Sequence, residues 1–600
     1  MKPNSYVFLL LLTLLSACSG IPRYANDPQS QMADISASRT RIEPKVVERC
    51  YQGADGREDC RSESIFIGIA ISGGGSRAAN YSAAVLSELD SIGLLPHVNA
   101  ISSVSGGSLT AAYLAQKGSP RRTNPPEFWH QAKVDLSQNF RTEFVKKALR
   151  PDNFFATMFG SVGRTELMAE VFDEMIFHGA KFRDLNSTGF SLVMNATAIN
   201  NIYGMRKIQT CTNRQGNATS IRWESIPFSS DFFNNCLSST LDSYPISRAV
   251  TASAAFPGVY SSVPLGAYVP WNDNDQVPSS PRQYLHLIDG GPSDNLGVEG
   301  LIGPLLTKMG ELKRPLDRCL IIVIDAFNSG DIDKRYRRDD IRSAKDRIVD
   351  FNFMDSVDAM LYRRREDTLR ALGIRFPNFD TGGSIYHSAH NFPLPSGYYD
   401  YYGIANLSNV NMSNIHGRTP GTIIGSDEIS QSLNPTTDSN CLIWYMGLDS
   451  LRELAITDWK YFETPKIKSQ SLSGDIFYEY PTLEGLPNSE IQESLEEYVQ
   501  TDRPRRINDA WELATRVSTD FNLVGPPRCS NKVLSEALWI AGKASVNADV
   551  RSRRKICKWL DDAKLSRSMK CDSNEKFEVP KLPIQYLPSD IWFEYSVECN

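Results

Sequence analysis

The hydrophobic pattern of the chain is most regular over residues 64–114. An apolar run, 65–71, has the length and continuity of a buried strand, and helical spacing follows over 79–89 after a glycine-rich stretch. A second apolar segment, 97–104, leads through another glycine turn into a helical pattern over 109–116. Two consecutive strand–turn–helix units predict an α/β sheet with both turns at its carboxyl edge.

The second turn fits a hydroxyl nucleophile. Such a residue needs a sharp turn at a helix start, so that its oxygen stands clear of the backbone, with small residues two positions to either side. Ser105 meets this requirement, because Ser103 precedes it and Gly106 and Gly107 follow it. We therefore predict Ser105 as the nucleophile, with Ser103 and Gly107 as the small residues of the elbow.

The first turn fits an oxyanion hole. Its sequence is Ser72-Gly73-Gly74-Gly75-Ser76-Arg77, and consecutive glycine amides at a helix start can point at a developing negative charge. Either motif alone is equally well explained as a glycine-rich turn. Together, in order and each between a strand and a helix, they favour catalysis, with Gly73, Gly74 and Gly75 as donors.

A third motif lies far downstream. The apolar segment His286-Leu287-Ile288 ends in Asp289-Gly290-Gly291, an aspartate followed by a glycine turn. The three motifs together resemble the patatin-like phospholipase family, which joins a glycine-rich oxyanion loop, a nucleophile-elbow serine and an Asp-Gly-Gly or Asp-Gly-Ala motif. The small-residue block over 247–258 resembles the family as well, and the first motif is also similar to the cytosolic phospholipases of animals.

The resemblance covers about residues 65–327, under half of the chain, and it departs from the family at two positions. Ser103 stands where the elbow usually has glycine, and Ala78 stands where the first motif often has glycine. Both replacements are small. The resemblance implies a three-layer α/β/α core with a mainly parallel central sheet.

The resemblance also implies a Ser–Asp dyad with Asp289 as the base for Ser105. A carboxylate is a weak base in water, so partial desolvation has to raise its pKa. His286 is the histidine nearest to Asp289 and would point to the opposite side of an extended strand, so we interpret it as structural. Asp294 is interpreted as a loop stabiliser. Arg77 is assigned to negative charge at the oxyanion or at a substrate phosphate, with a purely structural role as the alternative.

The N-terminus has the pattern of an export signal. Residues 1–17 contain one basic residue, Lys2, and an apolar run over 6–15 that is too short to span a bilayer. The following cysteine, Cys18, completes a segment that resembles a bacterial lipobox, although an ordinary signal peptide with an incidental cysteine is the alternative. With Ser19 next to it, a lipidated Cys18 favours an outer-membrane lipoprotein of the bacterial envelope, facing the periplasm or the surface.

The length of the chain indicates more than one domain. A chain of 600 residues is long for one domain, and we divide it into a signal peptide (1–17), a polar, lipidated tether (18–62), a catalytic domain (63–328) and a C-terminal, mostly helical extension (329–600). In that extension we interpret Arg363, Arg364 and Arg365 as a solvated helix face. Upstream, an apolar cluster (Phe154, Phe155, Met158 and Phe159) fits a lipid-facing surface, but ordinary core is the preferred interpretation.

The chain has eleven cysteines, and ten remain when Cys18 is set aside. Export permits disulfides, and the spacing is compatible with local pairs between Cys50 and Cys60, Cys211 and Cys236, and Cys557 and Cys571, although the sequence leaves the connectivity open. Cys319 is interpreted as a buried thiol. The cysteines and histidines show no spacing typical of a zinc site, so we predict no metal or other cofactor.

The net charge of −6 gives no basic footprint for nucleic acid, so we expect no nucleic-acid partner. The motifs favour an acyl-ester hydrolase. The family resemblance implies a phospholipase A or lysophospholipase acting on phospholipid or lysophospholipid, and we expect it to be held at a membrane through Cys18. A short-chain esterase is one alternative. A non-catalytic lipid-binding or scaffolding lipoprotein of the outer membrane is another.

Overall fold

The computed structural model describes most of the catalytic region and parts of the remainder of the chain. The described residues are 26–29, 34–52, 58–118, 125–158, 163–185, 189–200, 210–212, 218–220, 225–268, 276–312, 316–327, 352–372, 407–411, 440–448, 451, 466–470, 476–479, 502–548, 550–563, 565, 579–588 and 595–599. The segment 1–25, with Cys18, lies outside them. In the described part, no helix is long and apolar enough to span a bilayer.

The strands of the described chain, in order, are Lys45–Gln52 (β1), Glu58–Ile71 (β2), Ala100–Val104 (β3), Ser191–Ala198 (β4), Thr210–Thr212 (β5), Ala218–Ser220 (β6), Ser225–Pro227 (β7), Val263–Ala267 (β8), Gln283–Ile288 (β9), Arg318–Asp325 (β10), Leu407–Asn411 (β11), Asn440–Gly447 (β12), Lys466–Gln470 (β13), Ile476–Glu479 (β14), Ile584–Pro588 (β15) and Tyr595–Cys599 (β16). The helices are Ala37–Thr40 (α1), Gly75–Ser91 (α2), Gly106–Lys117 (α3), Pro125–Leu136 (α4), Phe140–Ala148 (α5), Pro151–Met158 (α6), Arg164–Phe172 (α7), Ser230–Leu237 (α8), Ile246–Ser253 (α9), Gly291–Asp294 (α10), Glu299–Leu312 (α11), Asn352–Ala371 (α12), Asp502–Ala514 (α13), Asn531–Ala548 (α14) and Val550–Asp562 (α15).

A mixed sheet forms the centre of the molecule. Its strand order is β11-β12-β10-β2-β3-β4-β9-β8, with β1 and β7 paired beside β2 and β4. The five strands from β12 to β4 run parallel to one another, and the antiparallel pairs lie towards the edges. The mainly parallel central sheet predicted from the sequence is therefore confirmed.

The alternation of side chains along β2 explains the three layers. Ile67 and Ile69 face one side and pack into the apolar cluster that contains α2 and α3. Phe66 and Ala70 face the other side and pack with α11. Gly68 leaves room for that helix, because an added Cβ would lie 2.6 Å from Leu301 Cδ2. Helices thus cover both faces of the sheet, as in an α/β/α sandwich.

The C-terminal region adds to this same body. Strand β12 pairs in parallel with β10, and helix α14 packs against α2. The contact with α2 is close, since Tyr81 Oη lies 2.7 Å from Ser545 Oγ and a Cβ on Gly542 would meet Ala84 Cβ at 2.6 Å.

The N-terminal side also differs from the expected tether. Strand β1 lies within 18–62, yet it pairs along its whole length with β2 in an antiparallel ladder. Helix α1 packs near α8, where Thr40 Oγ1 lies 3.1 Å from Ser230 Oγ. The residues of this region that the structure describes are therefore attached to the catalytic core.

The disulfides correct one interpretation. Cys50 pairs with Cys60, as expected, across the β1–β2 ladder. Cys319, expected to be a free buried thiol, is bonded to Cys441 across the parallel strands β10 and β12. Cys529 is bonded to Cys599. Cys236 and Cys557 are also disulfide-bonded, while Cys571 lies outside the described residues.

Candidate active site

Ser105 occupies a strained turn between β3 and α3. Its backbone angles are φ 51° and ψ −122°, a left-handed conformation that a residue with a side chain rarely adopts. Strand β3 is buried on both faces and helix α3 starts at Gly106, so the fold holds this turn in place from both ends. The geometry is that of a nucleophile elbow, with the side chain standing clear of the backbone.

The residues around Ser105 are small because the turn has no room for larger ones. A Cβ on Gly106 would lie 2.0 Å from the Gly75 carbonyl oxygen, and one on Gly107 would lie 2.6 Å from that of Ser72. Ser103 is fully buried, and its hydroxyl oxygen lies 3.1 Å from Ser108 Oγ. The serine that replaces the usual elbow glycine is thus accommodated by a hydrogen bond.

Asp289 lies directly beside Ser105. It follows β9, and its carboxylate accepts a hydrogen bond from the Gly291 amide at 2.8 Å. Burial raises the pKa of the Asp289 carboxyl to about 6 from its usual 3.8, and the nearby Gly291 amide and Ser105 hydroxyl oppose part of that shift. A carboxylate with this pKa is a better proton acceptor than an exposed one at neutral pH.

A residue that the sequence did not single out connects the two motifs. Ser253, at the end of α9 in the small-residue block, accepts a hydrogen bond from the Ser105 amide at 2.9 Å. It donates to the carbonyl oxygen of Asn195 on β4 at 2.6 Å. The next residues continue the link, because the Ala255 carbonyl accepts from the Asp289 amide at 2.9 Å. Helix α9 therefore fixes the position of Ser105 relative to Asp289.

The glycine loop lies against this pair. A Cβ on Gly73 would contact Ser105 Cβ at 3.4 Å, but the Gly73 amide already donates to the Asn295 carbonyl at 3.1 Å. Within the described part of the chain, the amides of Gly74, Gly75 and Gly106 have no such acceptor. The donors available for an oxyanion are therefore shifted along the loop, and Gly106 joins them from the elbow itself.

The far C-terminal region supports the same loop. A Cβ on Gly75 would lie 1.8 Å from the Thr519 carbonyl oxygen, and the Ser76 amide donates to the Asp520 carbonyl at 2.9 Å. The segment is held on its other side by helix α5, where Arg141 forms an ion pair with Asp520. We call residues 517–522 the loop clamp. No sequence motif marks it, since it is joined to the loop through backbone groups.

Arg77 belongs to this contact. Its guanidinium is buried, and its Nη1 donates to the Val517 carbonyl oxygen at 3.1 Å. The side chain thus connects the start of α2 to the loop clamp, which is a structural role whether or not a substrate also meets it.

Helix α12 supports the loop after Asp289. Leu361 packs on Gly291, where an added Cβ would lie 2.7 Å from Leu361 Cδ2. Arg364 donates to the Ser293 carbonyl at 2.7 Å and pairs with Glu299 at 2.7 Å. Arg365 is buried as well and pairs with Asp325 at 2.6 Å. The expected solvated face is therefore wrong for these two arginines, and only Arg363 of the run is exposed.

The other candidates lie apart from the reacting pair. Asp294 accepts hydrogen bonds from the Val298 and Gly300 amides at 3.0 and 2.9 Å, so it caps the start of α11. His286 Nδ1 lies 3.3 Å from Ser262 Oγ on the neighbouring chain segment. Among the described residues, no group of three or more His, Cys, Asp and Glu side chains could hold a metal ion.

The comparisons with known proteins agree with this geometry. A family model for the patatin-like phospholipases matches residues 69–302, which span the glycine loop, the elbow and the Asp-Gly-Gly turn. This chain carries a patatin-like phospholipase domain. The mixed sheet with flanking helices is the patatin-like fold, and the family supports a lipid acyl hydrolase activity. No curated protein matches the sequence.

Several solved structures are similar to this chain at low sequence identity. Human GIVD cytosolic phospholipase A2 has 12% identity and a TM-score of 0.38, with 84% of this chain and 61% of the human chain covered. ExoU, in its complex with SpcU from the type III secretion system of Pseudomonas aeruginosa, has 14% identity, a TM-score of 0.17 and coverage of 93% and 89%. VipD from Legionella pneumophila has 11% identity, a TM-score of 0.20 and coverage of 88% and 93%.

Proposed function

We propose that this protein is a membrane-anchored phospholipase A or lysophospholipase that works through a Ser105–Asp289 dyad. The observation that carries the proposal is that one short segment, 253–255, holds both groups: Ser253 Oγ accepts the amide of Ser105 on its strained elbow, and the Ala255 carbonyl accepts the amide of the buried Asp289. A serine becomes a competent nucleophile when an adjacent base accepts its proton. The family of the domain supplies the lipid substrate class.

The reaction proceeds in two halves. Ser105 Oγ bonds to the ester carbonyl carbon while its proton passes to Asp289, and the proton then moves to the leaving alcohol oxygen as the ester C–O bond breaks. Water attacks the acyl-serine in the second half and gives a proton to Asp289. That proton returns to Ser105 as the fatty acid leaves. The amides of Gly74, Gly75 and Gly106 stabilise the negative oxygen of each tetrahedral intermediate.

The cellular setting is part of the same proposal. Removal of residues 1–17 would leave Cys18 as the lipidated first residue and place the enzyme on the bacterial outer membrane, next to its phospholipid substrate. The described disulfides, including Cys319–Cys441, are compatible with an oxidising compartment outside the cytoplasm.

The experiment that tests the proposed function measures products directly. The mature chain, residues 18–600 with Cys18→Ser, is incubated with mixed phospholipid vesicles, and fatty acid and lysolipid are followed by mass spectrometry. We expect both products, together with labelling by a fluorophosphonate probe. Hydrolysis of short-chain esters alone would indicate the esterase alternative. A folded chain that neither labels nor releases product would indicate a non-catalytic lipoprotein.

The acid side of the pH–rate profile is expected to follow Asp289. Because only the carboxylate accepts the serine proton, kcat/KM on a soluble neutral ester should rise as pH increases through about 6 and then level off. A profile that stays flat between pH 5 and pH 7 would contradict Asp289 as the base.

Folding stability should change in the opposite direction. A folded pKa of about 6, above the unfolded 3.8, contributes stability that is complete below the unfolded value and is lost as pH rises through about 6. Thermal unfolding at pH 5 and pH 8 measures this loss. Asp289→Asn should remove this part of the pH dependence, while the control Asp561→Asn, at an exposed carboxyl of α15, should keep it.

A further inference from the structure

Three large apolar side chains are exposed within ten residues of each other, on helix α5, at the residue that follows it, and on helix α6. The exposed fractions are 43% for Val145, 68% for Leu149 and 49% for Phe154. We call these three residues the α5–α6 patch. The other six exposed large hydrophobic residues of the described chain each lie on a different segment, so the patch is a local concentration.

The patch is the outward side of an anchored helix. Phe140 and Phe144, four residues apart, face inward, with ring centroids 5.3 Å from Phe172 and 5.7 Å from Tyr260. Val145 and Leu149 repeat the same spacing one position later, and they stay exposed. Because the inner face of α5 is fixed by aromatic packing, its outer face is presented as a rigid surface.

Two exposed basic side chains border the patch. Lys146 and Arg150 directly follow Val145 and Leu149 in the chain, and both are exposed. The other basic residues of this segment are engaged elsewhere, because Lys147 is buried against Glu170 and Glu174 and Arg141 pairs with Asp520. Lys146 pairs with Glu143 at 2.7 Å. Apolar side chains beside exposed basic ones are typical of surfaces that bind anionic bilayers.

The patch adjoins the active site through the loop clamp. Arg141, at the start of α5, pairs with Asp520, whose carbonyl oxygen accepts the Ser76 amide next to the oxyanion glycines. On the other side of the helix, Phe144 contacts Tyr260, shortly after the segment that holds the Asp289 amide. A membrane that met the patch would therefore lie next to the elements that carry the oxyanion loop and the Asp289 turn.

We propose that the α5–α6 patch docks the enzyme on a bilayer that contains anionic phospholipid. Leu149 and Phe154 enter the boundary between headgroups and acyl chains, while Arg150 and Lys146 lie at the level of the lipid phosphates. The choice of a bilayer as the partner rests on the proposed phospholipase function. The docking differs from the anchor at Cys18, because it brings the active site to the lipid surface rather than merely tethering the chain near it.

The test separates docking from catalysis. The mature chain (18–600, Cys18→Ser) carries Ser105→Ala, so that lipid is not consumed, and is floated with vesicles of phosphatidylethanolamine and phosphatidylglycerol. The patch variant is Leu149→Ser with Phe154→Ser. Its matched control is Ile35→Ser with Val46→Ser, which removes two equally exposed apolar side chains far from the patch in sequence. We expect the patch variant to bind vesicles at least about tenfold more weakly than the parent, and the control variant to bind them like the parent.

Activity gives the second measurement. With Ser105 intact, the patch variant should hydrolyse vesicle lipid about tenfold more slowly than the parent and a soluble short-chain ester at the parent rate. Equal vesicle binding by parent and patch variant, or no binding by the parent, overturns the docking proposal. Loss of self-association in the patch variant with unchanged vesicle binding also overturns it, in favour of a protein interface. Since flotation uses an inactive chain, a failure of the proposed catalysis is seen separately.

Discussion

Replacing Ser105 with alanine should reduce release of fatty acid from phospholipid by about 10⁴-fold or more, to the level of a blank. The substitution removes the only atom of the dyad that can bond to the acyl carbon, and it leaves the small side chain that the elbow requires. Asp289→Asn should cause a loss of similar order, because asparagine keeps the size of the side chain but cannot accept the proton of Ser105. Steady-state rates on vesicles and on a soluble ester measure both losses.

The double variant sharpens this prediction. Residues that act in one proton transfer are not additive, so Ser105→Ala with Asp289→Asn should be no slower than Ser105→Ala alone. Ser82→Ala is the matched control. Ser82 is a buried serine of α2, and among the described residues its hydroxyl donates only to its own helix, at the Ala79 carbonyl. Full activity in Ser105→Ala would mean that another nucleophile, or a contaminant, performs the reaction.

Stability should separate the two single variants. At pH 8 the native protein holds the Asp289 charge in a buried position, and burial is what raises its pKa to about 6. The neutral amide of Asp289→Asn should therefore raise the free energy of unfolding by about 1–3 kcal/mol. Ser105→Ala should not show this gain, because it leaves the buried Asp289 charge in place. It should not relieve the backbone strain of the elbow, because alanine also carries a Cβ. An inactive yet stabilised Asp289→Asn would indicate a carboxylate kept for catalysis rather than for folding.

The sequence was sufficient for the parts of the site that are encoded locally. A nucleophile elbow is a run of five residues, and an aspartate at a strand end is followed at once by its glycines. The structure places Ser105 and Asp289 together as those motifs suggest. The glycine loop lies between β2 and α2, as its sequence predicts, but the hydrogen bond from Gly73 to Asn295 depends on a turn more than 200 residues away. No local sequence pattern predicts that the Gly73 amide is already bonded to a distant carbonyl.

Long-range contacts explain the remaining differences. Cys319 looked like a buried thiol because its partner, Cys441, lies on a strand that follows after 120 residues and enters the sheet beside β10. Arg364 and Arg365 looked solvated because their acceptors, the Ser293 carbonyl and Asp325, belong to other segments. A charged run on a helix predicts exposure on average. The specific partners that bury it are visible only in the folded chain.

The loop clamp leads to the second large effect. Gly75→Ala should lower kcat about 10²–10³-fold, because the new methyl group would occupy the position of the Thr519 carbonyl and displace either the clamp or an oxyanion donor. Gly179→Ala is the control. Gly179 also has a positive φ, of 80°, but an added Cβ there meets nothing within 4 Å. Both variants carry backbone strain, so a loss confined to Gly75→Ala is due to the contact with the clamp.

Replacement of Arg77 distinguishes a positioning role of its contact with the loop clamp from direct binding of the substrate phosphate. If its bond to the Val517 carbonyl positions the oxyanion loop, Arg77→Met should lower kcat on a neutral soluble ester and on phospholipid by the same factor. If the guanidinium instead binds the substrate phosphate, the loss should fall on phospholipid alone and mainly on KM. Because the side chain is buried and bonded to a backbone carbonyl, we expect equal losses on the two substrates together with a lower melting temperature. A loss on phospholipid alone would mean that Arg77 binds the substrate phosphate. The loop clamp would then be held in place by its contacts with Gly75 and Ser76 and by the ion pair of Arg141.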